Sequence, residues 1–262
     1  MYKRNASLSG IGLKKKFGQH FLNDQSVVDT MLRQVGFDEN TSVFEIGCGE
    51  GFLTKSILQQ KFARFWVFEI DPEWAEFVAS NYTDERMTMF STDILQTDFA
   101  VFNDFKPWVL LSNLPYQITF PILFKLTENY SQLKEAVVMV QEEVAEKIVR
   151  SSGRGFGFTS LYLQHFFEWK MLIRIEPKSF YPPPKINSRL LYFKPKKNMD
   201  QIPNESEFWH FIKRCFSCPR RNLKNNLKPF HYDLARLSEE TLNLRAQQIN
   251  MTGFLAIWST LQ

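Results

Sequence analysis

One glycine-rich turn between a strand and a helix constrains the fold of this chain more than any other feature. Val43, Phe44 and Ile46 form a short apolar run that leads directly into glycines at positions 47, 49 and 51, and residues 52–60 then follow a helical pattern. Glycine permits a sharp turn and lets a ligand approach the backbone closely. The segment therefore predicts a β-strand, a tight turn and an α-helix, which is the opening unit of a Rossmann-like sheet.

Strand and helix patterns alternate on both sides of this turn. Predicted strands cover residues 42–46, 65–70, 87–90, 108–112 and 134–140, and predicted helices cover 52–60, 72–81, 118–127 and 142–150. Such alternation implies right-handed crossovers between parallel strands. The predicted fold is α/β, with a doubly wound Rossmann-like sheet as its centre.

The last third of the chain changes character. Residues 151–157 are rich in Ser and Gly and predict a loop, and two further strands, 166–175 and 189–194, are joined through three prolines. Beyond residue 196 the apolar residues follow helical spacing, and Thr252 is a candidate cap for a final helix. We therefore predict a flexible extension over residues 1–13, a main domain over 14–196 and a small all-helical domain over 197–262.

Acidic residues follow successive predicted strands around the glycine turn. Glu45 precedes the turn, Glu69 lies near the end of the next strand, and Asp93 follows the third. The spacing Gly-x-Gly-x-Gly differs from the dinucleotide pattern, and a carboxylate suits a ligand with a cationic end better than a phosphate. Glu69 is placed to hold ribose hydroxyls, as in related sheets. The set predicts a site for S-adenosylmethionine; the alternative is an ordinary sheet with solvated loop acids.

The tetrad at residues 113–116 follows the strand that begins at Trp108. The side chain of Asn113 and the carbonyl of Leu114 can both accept hydrogen bonds from an exocyclic amine, and Pro115 fixes the local backbone. The ring of Tyr116 offers a stacking surface for a base. The tetrad therefore predicts a pocket for an amino-bearing base, against the alternative of a turn with a buried tyrosine.

Five ordered segments of the chain resemble the ribosomal RNA adenine dimethyltransferase family, over nearly its whole length. They are residues 16–22 (KFGQHFL), 45–51 (EIGCGEG), 113–116 (NLPY), 181–188 (YPPPKINS) and 220–227 (RRNLKNNL). The bacterial small-subunit enzymes are the most similar branch. The resemblance implies a class I methyltransferase sheet and transfer of methyl groups from S-adenosylmethionine to adenine amines, which gives dimethyladenosine at two adjacent positions near the 3′ end of small-subunit ribosomal RNA.

The resemblance also implies roles for particular residues. The family's cofactor contacts fall on His20, Leu22, Gly47, Glu69, Asp93 and Asn113, and its catalytic segment falls on Asn113, Leu114, Pro115 and Tyr116. Phe180 matches the family's second stacking ring, opposite Tyr116, with core packing as the competing account. His20 and Gln117 depart from the residues that the family often has, and both departures remain polar.

Three other functions stay open at this point. A large-subunit adenine methyltransferase of the antibiotic-resistance type shares the cofactor architecture, a DNA adenine methyltransferase would normally need a larger recognition region, and a non-catalytic RNA-binding assembly factor would need no intact cofactor site. Leu114 and the segments 17–22 and 220–227 favour the small-subunit branch. The intact acids and Asn113 favour an enzyme.

Basic residues are unevenly distributed, although the net charge is only +4. Residues 209–232 contain several Lys and Arg residues but no Asp or Glu. A second basic cluster is formed by three consecutive lysines at positions 14–16. Such acid-free stretches favour contact with a polyanion. The residues predicted to bind RNA are Lys14, Lys15, Lys16, Arg220, Arg221 and Lys224, and the predicted partner is small-subunit ribosomal RNA or an immature 30S particle.

Cysteines and apolar runs exclude several classes of protein. The 3 cysteines do not form a secreted disulfide framework, and the histidines are too scattered to complete a zinc site with Cys215 and Cys218. No apolar run approaches the roughly 18 residues of a membrane span. We therefore expect a cytoplasmic protein without a metal site, acting as a monomer away from membranes.

Overall fold

The computed structural model describes residues 11–14, 18–105 and 107–262. Lys15 and Lys16 of the predicted RNA-binding set, and most of the predicted extension over 1–13, lie outside this range. The chain divides into two compact units, one formed by residues up to Ala145 together with Glu168–Pro195, and the other by Glu146–Phe167 together with Lys196–Gln262.

The first unit is built on a seven-stranded sheet and a separate two-stranded sheet. Its strands are β1 (Phe21–Leu22), β2 (Ser42–Ile46), β3 (Arg64–Phe68), β4 (Met87–Phe90), β5 (Trp108–Asn113), β6 (Leu133–Gln141), β7 (Phe167–Ile175), β8 (Phe180–Tyr181) and β9 (Ser188–Pro195). The large sheet has the order β4-β3-β2-β5-β6-β9-β7, and β1 pairs with β8 in the small one. The strands from β2 to β6 pair in parallel, whereas β9 runs antiparallel to β6.

Helices connect these strands and build the second unit. They are α1 (Gln25–Arg33), α2 (Phe52–Ile57), α3 (Pro72–Asn81), α4 (Thr119–Glu128), α5 (Glu142–Val149), α6 (Phe158–Phe166), α7 (Glu205–Cys215), α8 (Leu223–Leu227), α9 (Glu239–Asn243) and α10 (Met251–Leu261). Local sequence explains where several begin: the side chain of Asp24 caps α1, and Asp71 caps α3 with Pro72 in its first turn. In the part of the chain that the structure describes, no helix is both long and apolar enough to cross a membrane.

The predicted α/β class is confirmed, and the strand order explains where a ligand can bind. β2 lies between β3 and β5, so the chain winds to one side of β2 first and to the other side afterwards. At such a switch point the turns that leave two neighbouring strands diverge and open a crevice beyond their carboxyl ends. The glycine turn follows β2 and the 113–116 tetrad closes β5, so both predicted motifs face this crevice.

The second unit differs from the prediction in extent. Residues 158–166 form the helix α6, which lies between the loop predicted for 151–157 and the strand predicted from 166, where the sequence predicted no element. The segment 146–167 groups with the C-terminal helices. Phe156 and Leu161 are buried in one core with Phe208 and Trp209, which explains the grouping. The short, aromatic-rich α6 carries little helical periodicity, so its pattern did not predict a helix.

The start of the last helix is a smaller correction. Asn250, and not Thr252, caps α10, because the backbone N–H of Gly253 donates to its Oδ1 at 2.9 Å. Both residue types are good N-caps. The prediction therefore placed the start of this helix two residues too late.

Candidate active site

A cavity of about 290 Å³ lies at the carboxyl ends of β2, β3 and β5. Its lining is drawn from the segments 18–22, 45–53, 68–70, 92–94 and 113–118. The lining includes nine of the predicted site residues: His20, Leu22, Gly47, Glu69, Asp93, Asn113, Leu114, Pro115 and Tyr116. The fold therefore brings into one place residues that are up to 96 positions apart in the chain (20 to 116).

The glycine turn forms one wall of the cavity, and side chains at its glycine positions would collide with neighbouring rings. Gly47, Gly49 and Gly51 have φ values of +76°, +52° and +81°, a left-handed conformation that favours glycine. A Cβ on Gly49 would lie 2.6 Å from the ring of Phe21, and one on Gly51 would lie 2.5 Å from the ring of Tyr82. The turn is thus a bare backbone cradle against which a ligand can lie closely.

Two buried carboxyl groups, those of Glu45 and Glu69, lie next to the glycine turn. Glu69 accepts hydrogen bonds from the N–H of Gly49 at 3.0 Å and from the N–H of Asp71 at 2.9 Å, so it fixes the glycine turn to the end of β3. Glu45 accepts a hydrogen bond from the hydroxyl of Thr54 at 2.7 Å. Burial raises the pKa of Glu69, and burial together with the charge of Glu69 raises the pKa of Glu45 to about 8.

Burial raises the pKa values of these two carboxyl groups because their ionised forms are poorly solvated in the cavity wall. A cationic ligand close to these groups would stabilise their ionised forms and lower both pKa values again. S-adenosylmethionine carries positive charge on its sulfonium and its amino group. The bare glycine cradle and the acid-rich lining therefore fit this cofactor.

We expect replacement of Glu45 by Gln to remove part of the pH dependence of stability. The pKa of Glu45 is about 8 in the folded protein, against roughly 4.3 for an unfolded glutamate. Its protonated form therefore stabilises the fold fully below pH ~4.3, and this contribution is lost as the pH rises through about 8. Without cofactor, the melting temperature should fall less between about pH 6 and pH 8.5 for Glu45→Gln than for the unaltered protein.

Circular dichroism melts of both proteins at several pH values measure this difference. Glu69 titrates in both proteins, and because its charge raises the pKa of Glu45, the difference between the curves reports Glu45 together with its coupling to Glu69. Glu76→Gln, at an exposed position of α3, is the control and should reproduce the unaltered curve. Parallel curves for Glu45→Gln and the unaltered protein would contradict the raised pKa of Glu45.

The amide of Asn113 has a defined orientation. Its Nδ2 donates to the backbone carbonyl of His20 at 3.1 Å, which directs Oδ1 away from that carbonyl. The N–H of Leu114 donates to Met139 on β6, and the Pro115 carbonyl accepts from the following turn. Among the residues that the structure describes, Asn113 Oδ1 and the Leu114 carbonyl accept no hydrogen bond, so both acceptors are available at the cavity.

The ring of Tyr116 is held at its phenol end. Its hydroxyl is 2.6 Å from the hydroxyl of the fully buried Ser188, and burial raises the pKa of the phenol. The ring of His20 lies 6.0 Å away between centroids, at 29°. His20 is itself fixed, because its Nδ1 hydrogen-bonds the carbonyl of Pro182 at 2.7 Å.

Phe180, the predicted second stacking ring, is buried in this structure. It is 3% exposed and packs in the main core with Leu22 and Ile175, and it does not line the cavity. The following residue, Tyr181, is 41% exposed. In this conformation Phe180 has the packing role that the sequence left as the competing account, and its role in stacking on adenine stays a prediction.

Lys14 lies in an ion-pair network that the sequence did not predict. Its Nζ is 2.6 Å from Asp71 and 2.8 Å from Glu73, and Gln19 also donates to Asp71 at 3.2 Å. Asp71 is fully buried and follows the strand that ends near Glu69. In the sequence, only the Asp-Pro pair at residues 71–72 pointed to this region, as the start of α3. The structure thus ties the segment before the cavity to α3, and RNA binding by Lys14 stays a prediction.

The basic side chains of the second unit lie in different environments. Arg214 lies 4.5 Å over the ring of Phe230 and donates to the hydroxyl of Tyr232, so it supports the local packing. Lys224 is exposed and pairs with Glu239 at 3.1 Å. Arg220 and Arg221 are exposed on the loop before α8. Within the range that the structure describes, no three His, Cys, Asp or Glu side chains are grouped to hold a metal ion.

Comparison with known protein families shows which family this chain belongs to. The family model described as ribosomal RNA adenine dimethylase matches residues 11–255. The chain belongs to the ribosomal RNA adenine dimethylase family. Within this family, it is 35% identical over 254 residues to the ribosomal RNA small subunit methyltransferase A of Prosthecochloris aestuarii, with 96% of this chain and 95% of that protein covered. It is also 35% identical over 248 residues to the protein of the same name from Mycoplasma mobile, with 92% and 95% covered.

Solved structures support the fold of this dimethylase. A dimethyladenosine transferase from Plasmodium falciparum aligns with a TM-score of 0.76 at 22% identity, over 90% of this chain and 95% of that one. The 23S rRNA methyltransferase ErmE aligns with a TM-score of 0.72 at 18% identity, over 92% and 99%. At these identities the two structures establish the shared Rossmann-like fold with a helical C-terminal part, and no more.

Proposed function

We propose that this dimethylase transfers methyl groups from S-adenosylmethionine to the exocyclic amines of adenines in small-subunit ribosomal RNA, giving dimethyladenosine on two adjacent adenosines near the 3′ end. Relatives at 35% identity over nearly the whole chain bear the small-subunit name, whereas the large-subunit enzyme shares only the fold. The observation that carries the proposal is the oriented Asn113 amide, whose oxygen is available beside the Leu114 carbonyl.

These two acceptors address the difficult part of the reaction. The lone pair of the adenine amine is delocalised into the ring, so the amine is a weak nucleophile. Hydrogen bonds from the amine to Asn113 Oδ1 and to the Leu114 carbonyl would draw the nitrogen toward a tetrahedral shape and concentrate its lone pair. Alignment of such groups can lower a barrier by about 7–11 kcal/mol in favourable cases.

The remaining residues of the cavity hold and orient the reactants. Bound S-adenosylmethionine would supply an activated methyl group on a sulfonium, and the remainder of the cofactor would leave as a neutral thioether. The surplus proton on the methylated amine can pass to solvent afterwards, so the protein needs no general base of shifted pKa. In this proposal Glu69 holds the ribose hydroxyls, Asp93 holds the adenine of the cofactor, and the glycine turn holds the amino-acid end; all of them line the cavity. Tyr116 offers its ring to the target adenine, which must leave its stack to enter the cavity.

Labelled-methyl transfer tests the proposal. We expect transfer to 30S particles from a strain that lacks this protein, and none to 50S particles or to 30S particles that already carry the modification. Mapping should place the label on two adjacent adenines near the 3′ end. Transfer to 50S particles only would favour the large-subunit activity, and no transfer at all would favour a binding factor.

The same proposal includes the setting of the reaction. We propose that the protein acts as a monomer in the cytoplasm, on an immature 30S particle during ribosome biogenesis. The exposed Arg220 and Arg221 support contact with an RNA backbone. Sedimentation of the protein with and without such particles would test the monomeric state and the partner together.

Replacement of Arg220 and Arg221 by Gln should weaken particle binding and flatten its salt dependence. Each phosphate contact that is lost removes about one unit from the slope of log affinity against log salt. Binding measured at several salt concentrations gives this slope. Lys61→Gln, at an exposed position after α2, is the matched control. If the double variant keeps both affinity and slope, these arginines are ordinary surface residues.

A further inference from the structure

An exposed aromatic ring stands beside the cavity without lining it. Residues 181–187, which we name the proline ridge, contain Tyr181, three prolines, Lys185 and Ile186. Tyr181 is 41% exposed and Ile186 is 40% exposed, and both are among the large hydrophobic residues that this structure leaves in solvent. Nothing in the proposed chemistry so far uses either side chain.

The strand β8 explains why this ring points outward. β8 pairs with β1, with Phe21 opposite Tyr181 and Leu22 opposite Phe180. Successive side chains of a strand point to opposite faces, so Phe180 enters the core and Tyr181 faces solvent. His20, which precedes Phe21, lines the cavity. The exposed ring therefore projects from backbone that adjoins the cavity wall.

The proline ridge is fixed at both ends. The carbonyl of Pro182 accepts the hydrogen bond from His20 at 2.7 Å, and the carbonyl of Asn187 accepts one from the N–H of Glu142 at 3.0 Å. Pro184 is buried between these anchors. A ring on such a stiff segment loses little conformational entropy when a partner stacks on it.

The charge around this ring suits an RNA strand. Residues 177–188 include two lysines, Lys178 and Lys185, and no acidic residue. Lys185 is exposed, and the side chain of Lys178 is 81% exposed although it pairs with Glu176. A fixed aromatic face with cations beside it is the usual combination for binding unpaired nucleotides, through base stacking and phosphate contacts.

We propose that Tyr181 stacks on the base of the nucleotide next to the target adenosine, and that Lys185 contacts the adjoining phosphate. The inference rests on the proposed function, since a target base inside the cavity leaves its neighbour outside, and Tyr181 projects from backbone that pairs with the cavity-lining residue Phe21. Because the two proposed substrates are adjacent adenosines, this neighbour is itself an adenosine for one of the two target positions. The ring would thus contribute to binding of the RNA and not to the methyl-transfer step.

Steady-state kinetics of full-length variants on unmethylated 30S particles test this assignment. We expect Tyr181→Ala to raise the KM for particles about tenfold, the usual order for loss of one stacked base, with kcat and the dissociation constant for S-adenosylmethionine nearly unchanged. Tyr181→Phe keeps the ring and should keep the KM. Val101→Ala truncates a side chain that is 63% exposed elsewhere in the first unit and serves as the control.

A change in the RNA gives a second, independent comparison. Each of the two adenosines is replaced in turn by uridine, which stacks less strongly. In the particle whose uridine neighbours the remaining target on the Tyr181 side, Tyr181→Ala should raise the KM by a clearly smaller factor than in the other altered particle. An unchanged KM for Tyr181→Ala on unaltered particles, a loss confined to kcat, or an equal effect on both altered particles would overturn the assignment. If the unaltered protein transfers no methyl to any of these particles, the proposed function fails instead.

Discussion

Replacement of Asn113 by Ala should reduce methyl transfer by about 10³-fold, because it removes a preorganised polar group that acts on the reacting nitrogen. In the structure the Asn113 side chain donates to the His20 carbonyl and leaves its oxygen for the adenine amine. Alanine provides no acceptor, so the lone pair of the amine would stay delocalised. Single-turnover transfer to unmethylated 30S particles measures the loss.

Cofactor binding separates this effect from a general collapse of the site. Asn113→Ala should still bind S-adenosylmethionine measurably in calorimetry, since the glycine turn and Glu69 are intact. Asn113→Asp keeps an acceptor but cannot donate to His20, so we expect it to retain more activity than the alanine variant. Asn81→Ala, at the exposed end of α3, is the control. Unchanged turnover in Asn113→Ala would count against the proposed role of the amide.

Replacement of Glu69 by Ala should weaken S-adenosylmethionine binding about 100-fold, the order expected when charge-assisted hydrogen bonds worth about 1.5–3 kcal/mol each are lost. The carboxylate has two tasks. It accepts the N–H groups of Gly49 and Asp71, and we propose that it also holds the ribose of the cofactor. Without it, the glycine turn loses its connection to the end of β3.

A graded series distinguishes these two tasks. Glu69→Gln has nearly the same shape and one acceptor oxygen, so it can still hold one of the two backbone N–H groups, and its affinity should lie between those of the unaltered protein and Glu69→Ala. Glu76→Gln, at an exposed position, should bind the cofactor normally. Titration calorimetry gives the constants, and circular dichroism verifies folding. An unaltered dissociation constant for a folded Glu69→Ala would remove this residue from the ribose site.

Much of the first unit could be predicted because its signals are local. The apolar run before Gly47, Pro72 in the first turn of α3 and the apolar start of β5 each depend on a few consecutive residues. The second unit was harder to divide, since α6 joins the C-terminal helices through contacts between residues about fifty positions apart, such as Leu161 and Phe208. Periodicity within a short helix carries no information about such distant partners.

By itself, the sequence determined the α/β class, the turns at the ends of β2 and β5, and the family, because these depend on residue types at fixed short spacings. Only the tertiary structure decided which way side chains face and which groups pair. It buried Phe180 and exposed Tyr181, joined Lys14 to Asp71, and oriented the Asn113 amide through the His20 carbonyl. Each of these outcomes joins segments far apart in the chain, where packing and burial, and not local preference, select the partner.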